Sequence, residues 1–152
     1  MEELEDGEPR ALVLENARRK TQAVPGPMVL GVDTIVALEA RPYGKPANAD
    51  QAAATLGALS GREHEVWSAI ALRDGLRLAT ATARTVVRFR PLRPDQVAWY
   101  VATGEWRGRA GGYAIQERGA ALVESIEGDF WNVVGLPVAA LTALAPELVM
   151  GR

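Results

Sequence analysis

Between Met28 and Leu38 the chain reads Met-Val-Leu-Gly-Val-Asp-Thr-Ile-Val-Ala-Leu, and this stretch restricts the fold more than any other. It is apolar nearly throughout and rich in β-branched residues, and the breakers Pro25-Gly26-Pro27 precede it. Such a run predicts a buried strand. Asp33 interrupts it. An unpaired carboxylate inside a dry strand costs several kcal/mol, so it needs a cation, a metal or several donors. Two readings stay open: a functional carboxylate, or a strand-end aspartate bonded to nearby backbone amides.

The rest of the chain arranges itself around that strand. Glu8 to Val24 predicts a helix, with Ala11, Leu14, Ala17 and Val24 on one face and Glu15 and Arg19 as an i,i+4 pair. Arg41 to Ala47, with Pro42, Gly44 and Pro46, predicts a loop. Asp50 to Leu59 predicts a helix capped near Asn48 and ended by Ser60-Gly61. Glu65 to Arg73 and Leu76 to Arg90 predict two long strands joined by a hairpin at Asp74-Gly75. Pro94 to Thr103 predicts a short helix and Gly108 to Gly112 a glycine-rich loop. Tyr113 to Ile126 predicts one or two short strands, and Val138 to about Leu148 a last helix. This order indicates an α/β fold with a partly antiparallel sheet.

Composition narrows the chemistry. The 152 residues suit one compact domain, and 48% hydrophobic content is ample for its core. A net charge of -2 gives no reason to expect nucleic-acid binding. Cysteine is absent and His64 is the only histidine, which excludes thiolate chemistry, cysteine zinc sites and histidine-pair metal sites. Hard oxygen ligands remain, and they favour magnesium or manganese. No apolar stretch reaches the ~20 residues of a membrane span. Met1 to Arg10 is acidic and polar, unlike a secretory signal, so a cytoplasmic protein without a membrane partner is expected.

A few residues could carry chemistry. Gly44 lets the backbone turn and Pro46 extends Lys45, which could aim that lysine at a phosphate. Taken alone, Lys45 reads more simply as a solvated surface lysine. Lys20, one turn after Asn16, is a second phosphate-contact candidate or an ordinary solvent-face residue. Gln116 follows the glycine-rich loop, and its amide can pair with the imide edge of a pyrimidine, or serve as a plain strand glutamine. His64 reads as a structural histidine at a strand start. The four tryptophans form no helical stripe and read as core or interface residues.

Taken in order, these segments resemble the Maf family of nucleoside triphosphate pyrophosphatases. Leu14-Glu15-Asn16-Ala17-Arg18-Arg19-Lys20 is similar to its alanine-x-x-lysine helix, and Gly31-Val32-Asp33-Thr34-Ile35-Val36 to its aspartate-threonine strand. Gly44-Lys45-Pro46, Leu59 to Val66, Arg109 to Gln116 and Asn132 to Pro137 continue the match, which covers the chain from about Glu8 onward.

The resemblance implies an α/β fold with a mixed central sheet flanked by helices, shared with inosine triphosphate pyrophosphatases. It implies hydrolysis of a nucleoside triphosphate to monophosphate and pyrophosphate with a divalent metal, magnesium or manganese. Carried over by position, Asp33 is the proton acceptor for the attacking water. Lys20 and Lys45 contact phosphates, and Asp33 with Glu2 holds the metal. Thr34 and Gln116 occupy the positions of base discrimination and look like the subgroup acting on dTTP and UTP. Family members are often dimers, so a homodimer is compatible.

The departures shape three further expectations. The family's opening strand and serine-x-x-arginine-arginine loop are not found, so residues 1–152 are expected to form a single Maf-like domain shortened at its N-terminus. As written, such a chain is expected to hydrolyse nucleotides poorly or not at all. The family's aspartate-lysine-alanine-glycine is Gly108-Arg109-Ala110-Gly111, and Glu117 stands where glycine is commoner. The alternatives are a non-catalytic nucleotide-binding or regulatory protein linked to cell division and septum formation, or an α/β domain whose motifs are structural.

Overall fold

The apolar run does form a strand, and it is the second strand from one edge of a five-stranded sheet. The computed structural model describes residues 1–151. In chain order the elements are α1 (Pro9–Ala23), β1 (Met28–Leu38), β2 (Arg41–Tyr43), α2 (Ala49–Leu59), β3 (Glu63–Asp74), β4 (Arg77–Phe89) and α3 (Pro94–Ala102). After two 3-10 turns, at Ala110–Gly112 and Arg118–Leu122, come β5 (Val123–Glu127), α4 (Phe130–Val134), α5 (Val138–Leu144) and α6 (Pro146–Met150). The sheet order is β2-β1-β3-β4-β5.

The expected α/β architecture, a sheet flanked by helices, is present. All four strand pairings are antiparallel among the described residues, where the resemblance implied a mixed sheet. The tight turns joining β1 to β2 and β3 to β4 can only reverse the chain. The central pairing runs from Met28 opposite Asp74 to Ala37 opposite Glu65.

Side chains alternate across a strand, so β1 feeds two cores. Ile35 points to α1, where it packs with Leu12, Val13, Ala17, Ala69 and Ala71. Val36 and Leu38 join the larger core on the other face, with Leu56 and Leu59 of α2, Tyr100 of α3, Val66, Val87, Phe89 and Tyr113. Each buried Val, Leu, Ile or Phe among these stabilises the fold by about 1.5–3 kcal/mol relative to exposure.

Three local expectations change. Arg41–Tyr43 is a short edge strand rather than loop, with Pro42 opposite Ala37. Proline donates no ladder bond, and an edge is where that is tolerated. The last helix is interrupted: Ala145 is non-helical and Pro146 starts α6, because proline cannot continue the amide ladder of α5. The helix α4, capped by the Asp129 carboxylate on the Trp131 amide, is additional. No helix of the described residues is long and apolar enough to cross a membrane.

Candidate functional site

Alternation along β1 puts Asp33 on the α1 side, two residues before Ile35. It is 8% exposed. Asn16 and Lys20 lie one turn apart on α1, so both reach it from one helix face. The Asn16 amide donates to Asp33 Oδ2 at 3.1 Å, and Lys20 Nζ donates to Asp33 Oδ1 at 3.0 Å. Gly31 makes this approach possible. A Cβ there would lie 2.3 Å from the carbonyl oxygen of Ala17, so only glycine lets α1 lie this close to β1.

Lys20 is shared. It also donates to the Val32 carbonyl at 3.0 Å and pairs with Glu3 at 2.8 Å. Burial works against its charge, but the Glu3 and Asp33 carboxylates outweigh that and raise its pKa. The Glu3 carboxyl is lowered, chiefly by its bond to Lys20. Asn16 exchanges two further bonds with the Leu4 backbone, at 2.8 and 3.0 Å. These contacts lay the N-terminal residues beside Asp33.

Thr34 faces the opposite side of the sheet. A cleft of about 200 Å³ takes in residues from both sides of β1: it is lined by Lys20, Asp33, Thr34, Lys45, Arg109 and Gln116, with Val134 and Gly135. A second hollow, about 490 Å³, adjoins it at Asp33, Thr34 and Lys45 and is reached by Glu3, Asn16 and Gln51. The glycine-rich loop is fastened over β1: the Gly111 amide donates to the Gly44 carbonyl at 3.1 Å. Gly111 has φ 71°, and a Cβ there would lie 2.6 Å from Val36 Cγ2. Fixing this loop brings Arg109 and Gln116 to the cleft that Lys45 also borders.

The structure therefore gathers Lys20, Asp33, Thr34, Lys45 and Gln116 around one cleft. Lys45 remains largely exposed, with Nζ 3.9 Å from Glu3. Glu2 is not among the residues lining the cleft; it is exposed, and its neighbour Glu3 faces Lys20 instead. The tail has no periodic pattern from which the acid that pairs with Lys20 could be read. Asn16 and Arg109 belong to the site too. The one-turn spacing of Asn16 and Lys20 was the available signal for the first, and the basic residue beside the glycine-rich loop for the second.

Among the described residues no three acidic or histidine side chains cluster as a metal site. Two carboxylates, Asp33 and Glu3, do converge on one cation, with oxygens within 3.0 Å of Lys20 Nζ. Such hard oxygen donors fit magnesium or manganese when a ligand supplies the remaining oxygens. His64 stands apart from this. It is 1% exposed, bonds Tyr113 Oη at 2.7 Å and meets Phe89 edge-on. Burial pushes its pKa down to about 4, in keeping with a structural histidine. Trp106 is buried, whereas Trp99 and Trp131 are exposed.

A family model described as Maf-like protein matches residues 1–148. This chain belongs to the Maf family. Among its relatives is a dTTP/UTP pyrophosphatase of Symbiobacterium thermophilum, 50% identical over 134 residues, which span 86% of this chain and 69% of that protein. A dTTP/UTP pyrophosphatase of an Anaeromyxobacter species is 47% identical over 149 residues, covering 94% of this chain and 73% of that one. One from Thermus thermophilus is 45% identical over 136 residues, covering 90% and 73%. The Maf match takes in every residue that lines the cleft.

Proposed function

We propose, against the expectation that so short a chain turns over poorly, that this Maf protein is a hydrolase that cleaves dTTP and UTP to the monophosphate and pyrophosphate, its residues 1–152 working as one domain. The observation that carries the reading is a buried carboxylate, Asp33, held between Lys20 and Asn16 at the floor of a cleft bordered by Lys45 and Arg109. Relatives named for this activity support it.

Asp33 accepts the proton of the water that attacks the α-phosphorus. Each carboxylate oxygen keeps a lone pair beyond its bond to Lys20 or Asn16, and one of these takes up the proton. The bond from the α-phosphorus to the bridging oxygen then breaks and pyrophosphate departs. Lys20 and Lys45 offset charge on the phosphates, which is the main assistance phosphoryl transfer requires. Thr34 and Gln116 meet the base. Asp33 and Glu3 would hold a divalent cation, in place of the expected pair Asp33 and Glu2. When bound, that cation supplies charge neutralisation of the phosphate oxygens. This reading goes with work in the cytoplasm, where free nucleotides are held, and a homodimer is compatible with it.

The test is Asp33→Asn. Pyrophosphate release from dTTP and UTP is expected to fall about 10²–10⁴-fold relative to the unsubstituted chain, while UMP binding stays within about threefold. Equal release by the two proteins would remove Asp33 from the reaction.

A further inference from the structure

Thr34 is the one base-facing group whose hydrogen-bond polarity is set from behind. Gln116 carries both a donor and an acceptor on an exposed amide, so it can turn to suit either kind of partner. Thr34 has a single hydroxyl proton, and the question is where that proton points.

On β3, Ser68 sits directly opposite Thr34 in the strand register and is fully buried. Its hydroxyl lies 2.8 Å from Thr34 Oγ1 and 3.5 Å from the Asn132 carbonyl oxygen. Asn132 is itself fully buried, and its amide donates to the Val66 carbonyl and to Thr85 Oγ1, which locks the residue against the sheet. Among the described residues its carbonyl has no amide donor, because the Gly135 and Leu136 amides both go to Trp131 at the end of α4. A buried carbonyl demands a donor, and Ser68 is the one at hand among the described residues. Once the serine proton is committed to Asn132, the serine oxygen can only accept from Thr34. The Thr34 proton then points into the protein, and lone pairs alone face the cleft.

We infer that Ser68 is a positioning residue that makes Thr34 an obligatory acceptor, so that the cleft selects a pyrimidine carrying a ring N–H over one with a bare ring nitrogen. This rests on the nucleotide reading above and adds the group that enforces it. Uracil and thymine present N3–H to such an acceptor. Cytosine presents a lone pair at N3, and two acceptors facing each other without a proton disfavour binding.

The test uses UMP and CMP, which have no pyrophosphate to release, with affinities measured by titration calorimetry on the full chain. The unsubstituted chain is expected to prefer UMP. In Ser68→Ala the Thr34 hydroxyl is free to rotate and donate outward, so the UMP-to-CMP preference falls on the order of tenfold, chiefly through tighter CMP binding. In a Thr34→Val background, adding Ser68→Ala leaves the preference where Thr34→Val put it, because Ser68 acts only through that hydroxyl. Ser68→Cys, close in size and a weaker donor, carries the same comparison if the alanine variant does not fold; its preference falls as well. A UMP preference that survives Ser68→Ala, or Ser68→Cys if it is used, overturns the inference and leaves the pyrophosphatase reading standing. So does an equal shift in both Thr34 backgrounds. Failure of the unsubstituted chain to bind either nucleotide overturns both.

Discussion

Two lysines border one cleft, yet their surroundings give them different work. Lys20 is held by Val32, Asp33 and Glu3 and is part of the architecture around Asp33. Replacing it by methionine keeps the packing stem but leaves the buried carboxylate without its cation. Denaturant melts are expected to show a loss of about 1–3 kcal/mol, less than for a fully buried pair because Lys20 keeps some solvent contact, together with lost pyrophosphate release. Among the described residues the Lys45 ammonium pairs only with Glu3, at the limit of an ion pair. Lys45→Ala is expected to change stability by less than about 0.5 kcal/mol and to raise KM for the triphosphate roughly tenfold, one charge-assisted contact. Equal destabilisation by the two substitutions would refute this division. Asp33 was readable from sequence because a charge in an apolar run contradicts its neighbours. Asn16 offered only its one-turn spacing from Lys20, because an asparagine on a helix looks like any solvent-face residue until the partner strand is in place. That Glu3 rather than Glu2 pairs with Lys20 could not be read, since an irregular tail gives no register to count from.

At the level of elements, the site depends on how closely α1 lies on β1. Gly31 sets that distance, with Ala17 and Thr21 directly above it. Gly31→Ala would drive a methyl group into helix backbone, and overpacking of this kind costs about 1–3 kcal/mol. It would also lift Asn16 and Lys20 away from Asp33. The expected result is a lower melting temperature with pyrophosphate release falling more than the stability loss explains, whereas Gly57→Ala on α2, where a Cβ meets nothing, should leave both nearly unchanged. If the two variants behave alike, close approach is not what holds the site. β1 itself was readable to its ends, Met28 and Leu38, because apolar continuity and flanking breakers agree. β2 was hidden by Pro42 and Gly44, whose local preference for turns is overridden by pairing with β1. α4 is too short for a periodic signal, and Pro146 divides a helix whose apolar pattern continues across it.

For the molecule as a whole, the only histidine makes acid stability unusually simple to interpret. His64 lies in the larger core, in edge-to-face contact with Phe89 and Tyr113, and among the described residues its only side-chain hydrogen bond is to the tyrosine hydroxyl. Burial pushes its pKa down to about 4 from an ordinary 6.5. Above 6.5 the imidazole is neutral in both states and the pH has no leverage. Between 6.5 and 4 the unfolded chain takes up a proton that the folded chain refuses, so stability falls as the pH falls. The loss approaches about 3 kcal/mol at the bottom of that window, a large part of the 5–15 kcal/mol typical of a domain. Carboxylates do not confuse the upper part of it. Those with lowered pKa values, Glu3, Glu8, Glu15 and Asp95, start from 4.5 or below, so their stabilisation is present above that point and is lost only at lower pH. Urea melts between pH 7 and 5 should therefore show a declining stability in the unsubstituted chain. His64→Gln keeps a polar group for the Tyr113 hydroxyl and removes the proton-binding site. It is expected to be less stable at pH 7, having lost a well-packed ring, but nearly flat down to pH 5. Matching slopes in the two proteins would mean that the imidazole is protonated in the folded core after all. The buried ring would then have a charge partner that neither Phe89 nor Tyr113 provides.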